Sequence, residues 1–122
     1  MNTDQLSDYI MIACAKYADF SGRARRAEFW YFSLIINVVL FTLLYISPHN
    51  AILVMLLIII PAIAISTRRL HDINKSGWWQ LLSLVPFIGG LILLYWYIKK
   101  GDTGPNQYGP DPLQQTIQPP AP

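Results

Sequence analysis

Charge is scarce in this chain of 122 residues, and long stretches of it have none. Only 13% of the residues are charged, against about 25% in soluble domains. No Asp, Glu, Lys or Arg occurs from Phe29 to Thr67 or from Trp78 to Ile98. A helix on the surface of a soluble domain needs polar residues along its outer face. These stretches therefore exclude a soluble globular domain and indicate helices surrounded by lipid.

Residues that build catalytic and metal sites are also few. The one cysteine, Cys14, excludes an intrachain disulfide. The chain has no glycine-rich phosphate loop, no nucleophile motif and no metal-ligand spacing, and its two histidines, His49 and His71, lie in loops at opposite ends of a predicted span. We therefore expect no catalytic residues, no metal, no cofactor and no nucleic-acid partner.

What is present is three long apolar segments, at about 29–47, 51–67 and 78–98. At ~1.5 Å per residue, the first reaches about 28 Å, enough for the hydrocarbon core of a bilayer. Ser47 to Asn50 predicts a tight turn, and Pro61 predicts a kink in the second segment. The pattern predicts three transmembrane helices.

The two ends of the chain differ from these segments. Residues 4–18 place Leu6, Ile10, Ala13 and Tyr17 at helical spacing, which predicts a short amphipathic helix lying in the membrane interface. Residues 113–122 are too polar and too rich in proline for a packed core. The prediction is thus an all-α membrane protein, with residues 1–112 as a single membrane domain and 113–122 as a disordered tail.

The basic residues set the orientation. Seven of them precede the first span or lie in the loop before the third, and the turn at 47–50 has none. The positive-inside rule then predicts a cytoplasmic N-terminus. A third full span would carry Lys99 and Lys100 to the far side, against that rule. A re-entrant hairpin turning at 86–90 would bring them back, but it would leave backbone groups unpaired at membrane depth. We therefore favour a full span kinked at Pro86.

Two charged clusters flank the first two spans. One holds Arg23, Arg25, Arg26 and Glu28, and the other holds Arg68, Arg69 and Asp72. Antiparallel helices joined by a short turn must bring these ends together, so Glu28 and Asp72 are expected to be ion-pair partners of the arginines. Arginine at a helix N-terminus is electrostatically unfavourable, which points to an anionic ligand. The alternative is an ordinary basic flank with Arg25 paired to Glu28.

The leading functional hypothesis is a non-enzymatic binding or structural protein that holds an anionic lipid headgroup with Arg23, Arg25, Arg26, Arg68 and Arg69. Its expected partners are membrane lipids and either further copies of the chain or another membrane protein. The predicted interface anchors are tryptophans: Trp30, Trp78, Trp79 and Trp96. The competing hypothesis is a small membrane enzyme or permease for an anionic substrate, with His71 as the acid or base.

Four motifs resemble those of one bacterial family. They are Phe20 to Trp30; Arg68 to Asp72 with Lys75 to Trp79; Pro86 to Gly89; and Gly101 to Asn106 with Tyr108 to Pro112. In order and spacing they are similar to the domain of unknown function 805 family, the YhaH-like inner-membrane proteins. The resemblance implies a small multi-pass protein of the bacterial inner membrane, and it implies no activity.

Overall fold

The computed structural model describes residues 3–112, apart from the side chains of Leu6 and Ala13. Within that range the regular secondary structure is helical, with one isolated bridge between Asn106 and Gly109. The elements are α1 (Thr3–Ala15), α2 (Arg26–Ile46), α3 (Pro48–Asp72), a 3₁₀ helix (Gly77–Leu84) and α4 (Ile88–Ile98). The helical class predicted from the sequence is confirmed over this range, and the predicted tail at 113–122 lies outside it.

Helices α2 and α3 form a long antiparallel pair. Ser47, in an extended conformation, is the single residue between them, and Pro48 begins α3 at a position where its missing N–H costs nothing. Both helices are long and apolar enough to cross a membrane. Only 6% of the most apolar window of α2 and 28% of that of α3 is buried inside the protein. A core helix of a soluble protein would be mostly buried, so the exposed apolar surface is consistent with helices surrounded by lipid.

Pro61 lies inside α3, as the sequence predicts. A proline has no N–H, so it leaves the carbonyl four residues earlier, that of Leu57, without its helical partner. The Tyr17 hydroxyl donates a hydrogen bond of 2.5 Å to this carbonyl. The chain after α1 therefore supplies the bond that the proline removes.

Helix α1 is shorter than the predicted helix over 4–18, because residues 16–18 form a turn after Ala15. It lies against α2, where the Tyr9 and Tyr31 rings are 4.9 Å apart. Tyr17 lies in this turn, so it does not belong to the helical face predicted from the sequence. The interfacial, amphipathic character of α1 stays a prediction.

The predicted full span over 78–98 is wrong. The structure divides this segment into the 3₁₀ helix and α4, which fold back on each other around Val85 to Phe87. Pro86 has no N–H to continue a helix. Phe87 adopts φ +64° and ψ −60°, a strained γ-turn conformation in which the Ile88 N–H donates to the Pro86 carbonyl at 2.7 Å. The segment is the hairpin that the sequence also allowed.

The expected cost of that hairpin, unpaired backbone groups, is reduced by local hydrogen bonds. Val85 N–H donates to Leu82 O at 2.9 Å, and Leu91 N–H donates to Phe87 O at 3.0 Å. Gly89 lets the two limbs approach closely, because an added Cβ would overlap the Leu82 carbonyl oxygen. The turn therefore pairs several of its own polar backbone groups.

The hairpin returns the chain to the end at which it started. Gly77, at its beginning, lies against Thr67, while Lys99, at its end, accepts a hydrogen bond from Arg69 through its carbonyl. Lys99 and Lys100 therefore do not lie at the far end, which corrects the prediction made from a full span. All nine Lys and Arg residues lie at one end of the helices, and the Ser47 turn lies at the other.

Candidate functional site: the charged end of the helices

The site begins with the C-terminus of α3, whose last carbonyls need partners. Ala24 N–H donates to Arg68 O at 2.8 Å, and Asp102 N–H donates to Asp72 O at 2.7 Å. The Asn106 side-chain amide donates to His71 O at 2.9 Å. The loop before α2 and the segment after α4 thus cap the same helix end.

The end of α4 is capped by side chains of α2 and α3. Arg69 Nε donates to Tyr97 O at 3.1 Å, and its Nη2 donates to Lys99 O. Trp30 Nε1 also donates to Tyr97 O, and Arg26 donates to Ile98 O at 3.3 Å. A helix C-terminus carries partial negative charge, which these guanidinium groups offset. The anionic partner that the arginines require is thus supplied in part by the protein itself.

Of three ion pairs at this site, two join the two charged clusters and one lies within the second. The Asp72 carboxylate lies 2.9 Å from the guanidinium of Arg23 and 2.8 Å from that of Arg69, and the Glu28 carboxylate pairs with Arg68. Glu28 therefore pairs across the helices and not with Arg25. The relative exposures of Arg23, Arg68 and Arg69 are 5%, 1% and 0%, so these pairs are shielded from water and depend on their hydrogen bonds. Arg68 Nε is buried without a hydrogen-bond partner among the described residues.

The segment 99–112 is held over this network. Arg23 donates to the carbonyls of Asp102 at 2.6 Å and Gly104 at 2.7 Å. Inside the segment, the Asp111 carboxylate accepts from Gly104 N–H at 2.9 Å. At Gly101 an added Cβ would overlap the Asp72 carboxylate. Glycine there lets the backbone pass directly over the buried ion pairs.

Two arginines stay outside the buried network. Arg26 is exposed and Arg25 is half-buried, with its guanidinium 5.8 Å from the centre of the Tyr9 ring. Both line a cavity of about 220 Å³ together with Lys100, Gly101 and Asp72, whose carboxylate is already paired with Arg23 and Arg69. Arg25 also stands at the N-cap of α2 without a side-chain cap, so the free N–H groups of this helix end lie nearby. Of the five predicted anion-binding arginines, these two are the ones available to a ligand.

His71 is packed into the site. It is 7% exposed, and its ring stacks on Tyr108 with centroids 3.8 Å apart and planes 2° from parallel. Its Nδ1 lies 2.8 Å from Gly22 O. A carbonyl can only accept, so Nδ1 carries the proton and donates. The cavity that His71 lines, about 380 Å³, has no arginine in its lining. This geometry separates the imidazole from the anion-binding groups and does not favour the enzyme or permease hypothesis.

The predicted tryptophan anchors surround the base of the hairpin. Trp78 is 79% exposed, and its role as an interface anchor stays a prediction. Trp79 and Trp96 meet edge to face with centroids 5.6 Å apart, and Lys75 Nζ lies 4.7 Å from the centre of the Trp96 ring. Trp30 is tied to the end of α4, as described above.

The turn before α2 has its own carboxylate. Asp19 Oδ1 accepts hydrogen bonds from the N–H of Ser21 at 2.9 Å and from its hydroxyl at 2.7 Å. These bonds hold the pKa of Asp19 below its ordinary value. They also fix the turn that leads into Gly22, which adopts φ +81° and offers its carbonyl to His71.

Several residues of the site were not predicted from their chemistry. Asp102, Asn106 and Tyr108 contact the buried Arg23 or His71, and Asp111 accepts a hydrogen bond from Gly104 within the same segment. The signal available was their place in the fourth motif, Gly101 to Pro112. Nothing in the local pattern pairs Tyr17 with Leu57.

The fold and the site together define a small helical membrane protein whose charged residues gather at one end. The chain belongs to the family described as "Protein of unknown function (DUF805)", whose model matches residues 17–110. This confirms the resemblance read from the four motifs, and the matched range includes all five arginines of the site.

Two relatives from Escherichia coli (strain K12) are similar over most of the chain. "Inner membrane protein YhaI" is 46% identical over 103 residues, which cover 79% of this chain and 87% of that protein. "Inner membrane protein YhaH" is 37% identical over 116 residues, which cover 86% of this chain and 96% of that protein. No solved structure matches. These relatives support an inner-membrane location for the chain and give it no established activity.

Proposed function

We propose that the chain is a non-enzymatic multi-pass protein of the bacterial inner membrane, in which α2 and α3 cross the bilayer and the hairpin 77–98 enters and leaves on the cytoplasmic side. The observation that carries this topology is that all nine Lys and Arg residues lie at one end of the helices. The positive-inside rule assigns that end to the cytoplasm. The limbs of the hairpin are about 16–17 Å long, roughly half the ~30 Å hydrocarbon core.

The test of this topology is a pair of reporter fusions. A fusion after Asn50 should report the periplasm, because the Ser47 turn lies at the uncharged end. A fusion after Pro122 should report the cytoplasm, since the segment 99–112 is held against the C-terminus of α3. A periplasmic signal at Pro122 would restore the third full span and overturn the proposal.

The function we propose at this cytoplasmic end is the binding of an anionic phospholipid headgroup, as in cardiolipin or phosphatidylglycerol, by Arg25, Arg26 and Lys100. Three of the five predicted arginines are occupied by carboxylates and carbonyls, so the available positive charge lies at the rim of the site. The cavity between these three side chains is next to the N-terminus of α2, where backbone N–H groups and the helix dipole favour an anion. Basic pockets on the cytoplasmic side suit such headgroups.

Retention of lipid by the purified protein tests this proposal. We expect the triple variant Arg25→Gln, Arg26→Gln, Lys100→Gln to retain much less cardiolipin or phosphatidylglycerol in native mass spectrometry. Each basic residue near a membrane surface contributes about 1 kcal/mol, or about fivefold in affinity. Lys75→Gln is the matched control, because Lys75 lies over Trp96 and does not line the cavity. Equal retention by the triple variant and the wild type would refute the headgroup site.

A further inference from the structure

A second cavity lies between α1, the turn before α2 and the segment 99–112. Its volume is about 590 Å³, within the range of sites that hold small ligands. The lining that matters here is Asp8, Tyr9 and Ile12 from α1, Lys16 after it, and Arg25 at the start of α2. Both this cleft and the rim cavity have charges of both signs in their lining. They differ in their carboxylates, because Asp72 at the rim is paired with Arg23 and Arg69, whereas Asp8 in the cleft is in no ion pair with the described residues.

Asp8, Lys16 and Arg25 are unpaired charges in this lining. The other charged residues there are already engaged, Glu28 with Arg68 and Arg23 with Asp72. Within residues 3–112, Asp8, Lys16 and Arg25 take part in no ion pair. The cleft therefore offers two cations and one carboxylate to a ligand.

An apolar cavity adjoins the polar cleft, since Tyr9 lines both. It has a volume of about 170 Å³, and its remaining lining comes from Ile10 and Cys14 of α1 and Phe32, Ile35 and Ile36 of α2. No charged residue lines it. A polar cleft next to an apolar slot between the same two helices matches the shape of an amphiphile with a headgroup and an acyl chain.

We infer that the cleft between α1 and α2 binds a zwitterionic phospholipid, with its phosphate at Lys16 and Arg25, its primary ammonium at Asp8 and part of an acyl chain in the apolar slot. A purely anionic headgroup would meet the unpaired Asp8 carboxylate, whereas an ammonium group neutralises it. This site shares Arg25 with the rim cavity and differs from it in the rest of its lining and in the charge of its ligand. It rests on the proposed topology, which places this end of the helices at headgroup depth.

The experiment is native mass spectrometry of the full chain taken from mixed micelles with equal amounts of dioleoyl phosphatidylethanolamine and dioleoyl phosphatidylglycerol. Asp8→Asn should lower the ratio of retained phosphatidylethanolamine to phosphatidylglycerol by about fivefold, the effect of one partly exposed charge-assisted hydrogen bond. Lys16→Gln should lower retention of phosphatidylethanolamine, because it removes a phosphate contact. Asp8 is exposed, so its substitution leaves the fold intact. Asp4→Asn, on the same helix but outside the cleft, is the control and should change nothing.

Two outcomes would overturn the inference. One is an unchanged lipid ratio in Asp8→Asn. The other is equal retention of dioleoyl phosphatidylcholine, whose trimethylated ammonium has no N–H to donate to Asp8. The double variant Arg26→Gln, Lys100→Gln separates the two sites, because neither residue lines the cleft. This double variant should retain less phosphatidylglycerol, which is lost from the rim. Adding Asp8→Asn to it should still lower the ratio of retained phosphatidylethanolamine to phosphatidylglycerol. If that variant retains phosphatidylglycerol normally while Asp8→Asn still shifts the ratio, the rim proposal fails and the cleft proposal stands.

Discussion

The two ends of α3 differ sharply in what surrounds them. Of its ten buried residues, nine lie from Pro61 to Asp72, and the one in the first half is Ala51. The second half is packed against the loop before α2, the hairpin and the segment 99–112. The first half presents large apolar side chains outward, such as Leu56 at 63% and Leu57 at 66% exposed.

This difference follows from the solvent. Lipid tails are as apolar as leucine, so burying Leu56 inside protein gains little over leaving it in the bilayer. Carboxylates, guanidinium groups and helix-end carbonyls have no such alternative at the border of the hydrocarbon region, and they must find partners in the protein. Specific structure therefore forms where polar groups need partners, and the apolar half needs only to be helical.

The strongest test of this difference between the two halves of α3 is to remove one member of the buried network. Arg69→Met should lower the free energy of unfolding by about 3–5 kcal/mol, because it leaves the Asp72 charge short of a partner, frees the Lys99 carbonyl and removes one of the two donors to the Tyr97 carbonyl. Denaturation in detergent micelles measures the loss. Leu56→Met, in the exposed half of α3, should change it by less than about 1 kcal/mol. Similar losses in both variants would contradict the contrast between the two halves.

The hairpin offers a second test through two adjacent glycines. Gly89→Ala should destabilise the fold by about 1–3 kcal/mol, because the added methyl overlaps the Leu82 carbonyl and forces the limbs apart. At Gly90 an added Cβ meets nothing within 4 Å, so Gly90→Ala should be neutral or stabilise α4 by up to about 1 kcal/mol. Thermal denaturation in micelles compares the two. A full span through this segment would make both substitutions favourable.

The same contrast explains how much of the structure could be predicted from the sequence. The long apolar runs and the turn at Ser47 predict α2 and α3, and that antiparallel pair alone implies that the two arginine clusters meet. The hairpin could not be decided from Pro86, Gly89 and Gly90, since a kinked span uses the same residues. The deciding contacts are distant in sequence, such as Arg69 with Lys99 and Arg23 with Gly104. Composition also does not predict that the segment 99–112 is ordered. The structure of this segment comes from hydrogen bonds to buried arginines and not from burial of apolar side chains.

The smallest predicted effect concerns Tyr17, which connects the two regions by bonding the Leu57 carbonyl in the exposed half of α3. Tyr17→Phe should cost about 0.6 kcal/mol, the mean measured for hydrogen bonds between helices in membranes, and no more than about 1.7 kcal/mol, the largest such value. Pro61→Ala restores an N–H to the helix, and that N–H can take over the Leu57 carbonyl. In the Pro61→Ala background, Tyr17→Phe should therefore cost close to nothing, and a double-mutant cycle of unfolding free energies in micelles gives the difference. An equal cost of Tyr17→Phe in both backgrounds would mean that Tyr17 acts through its ring packing and not as the partner of a carbonyl freed by proline.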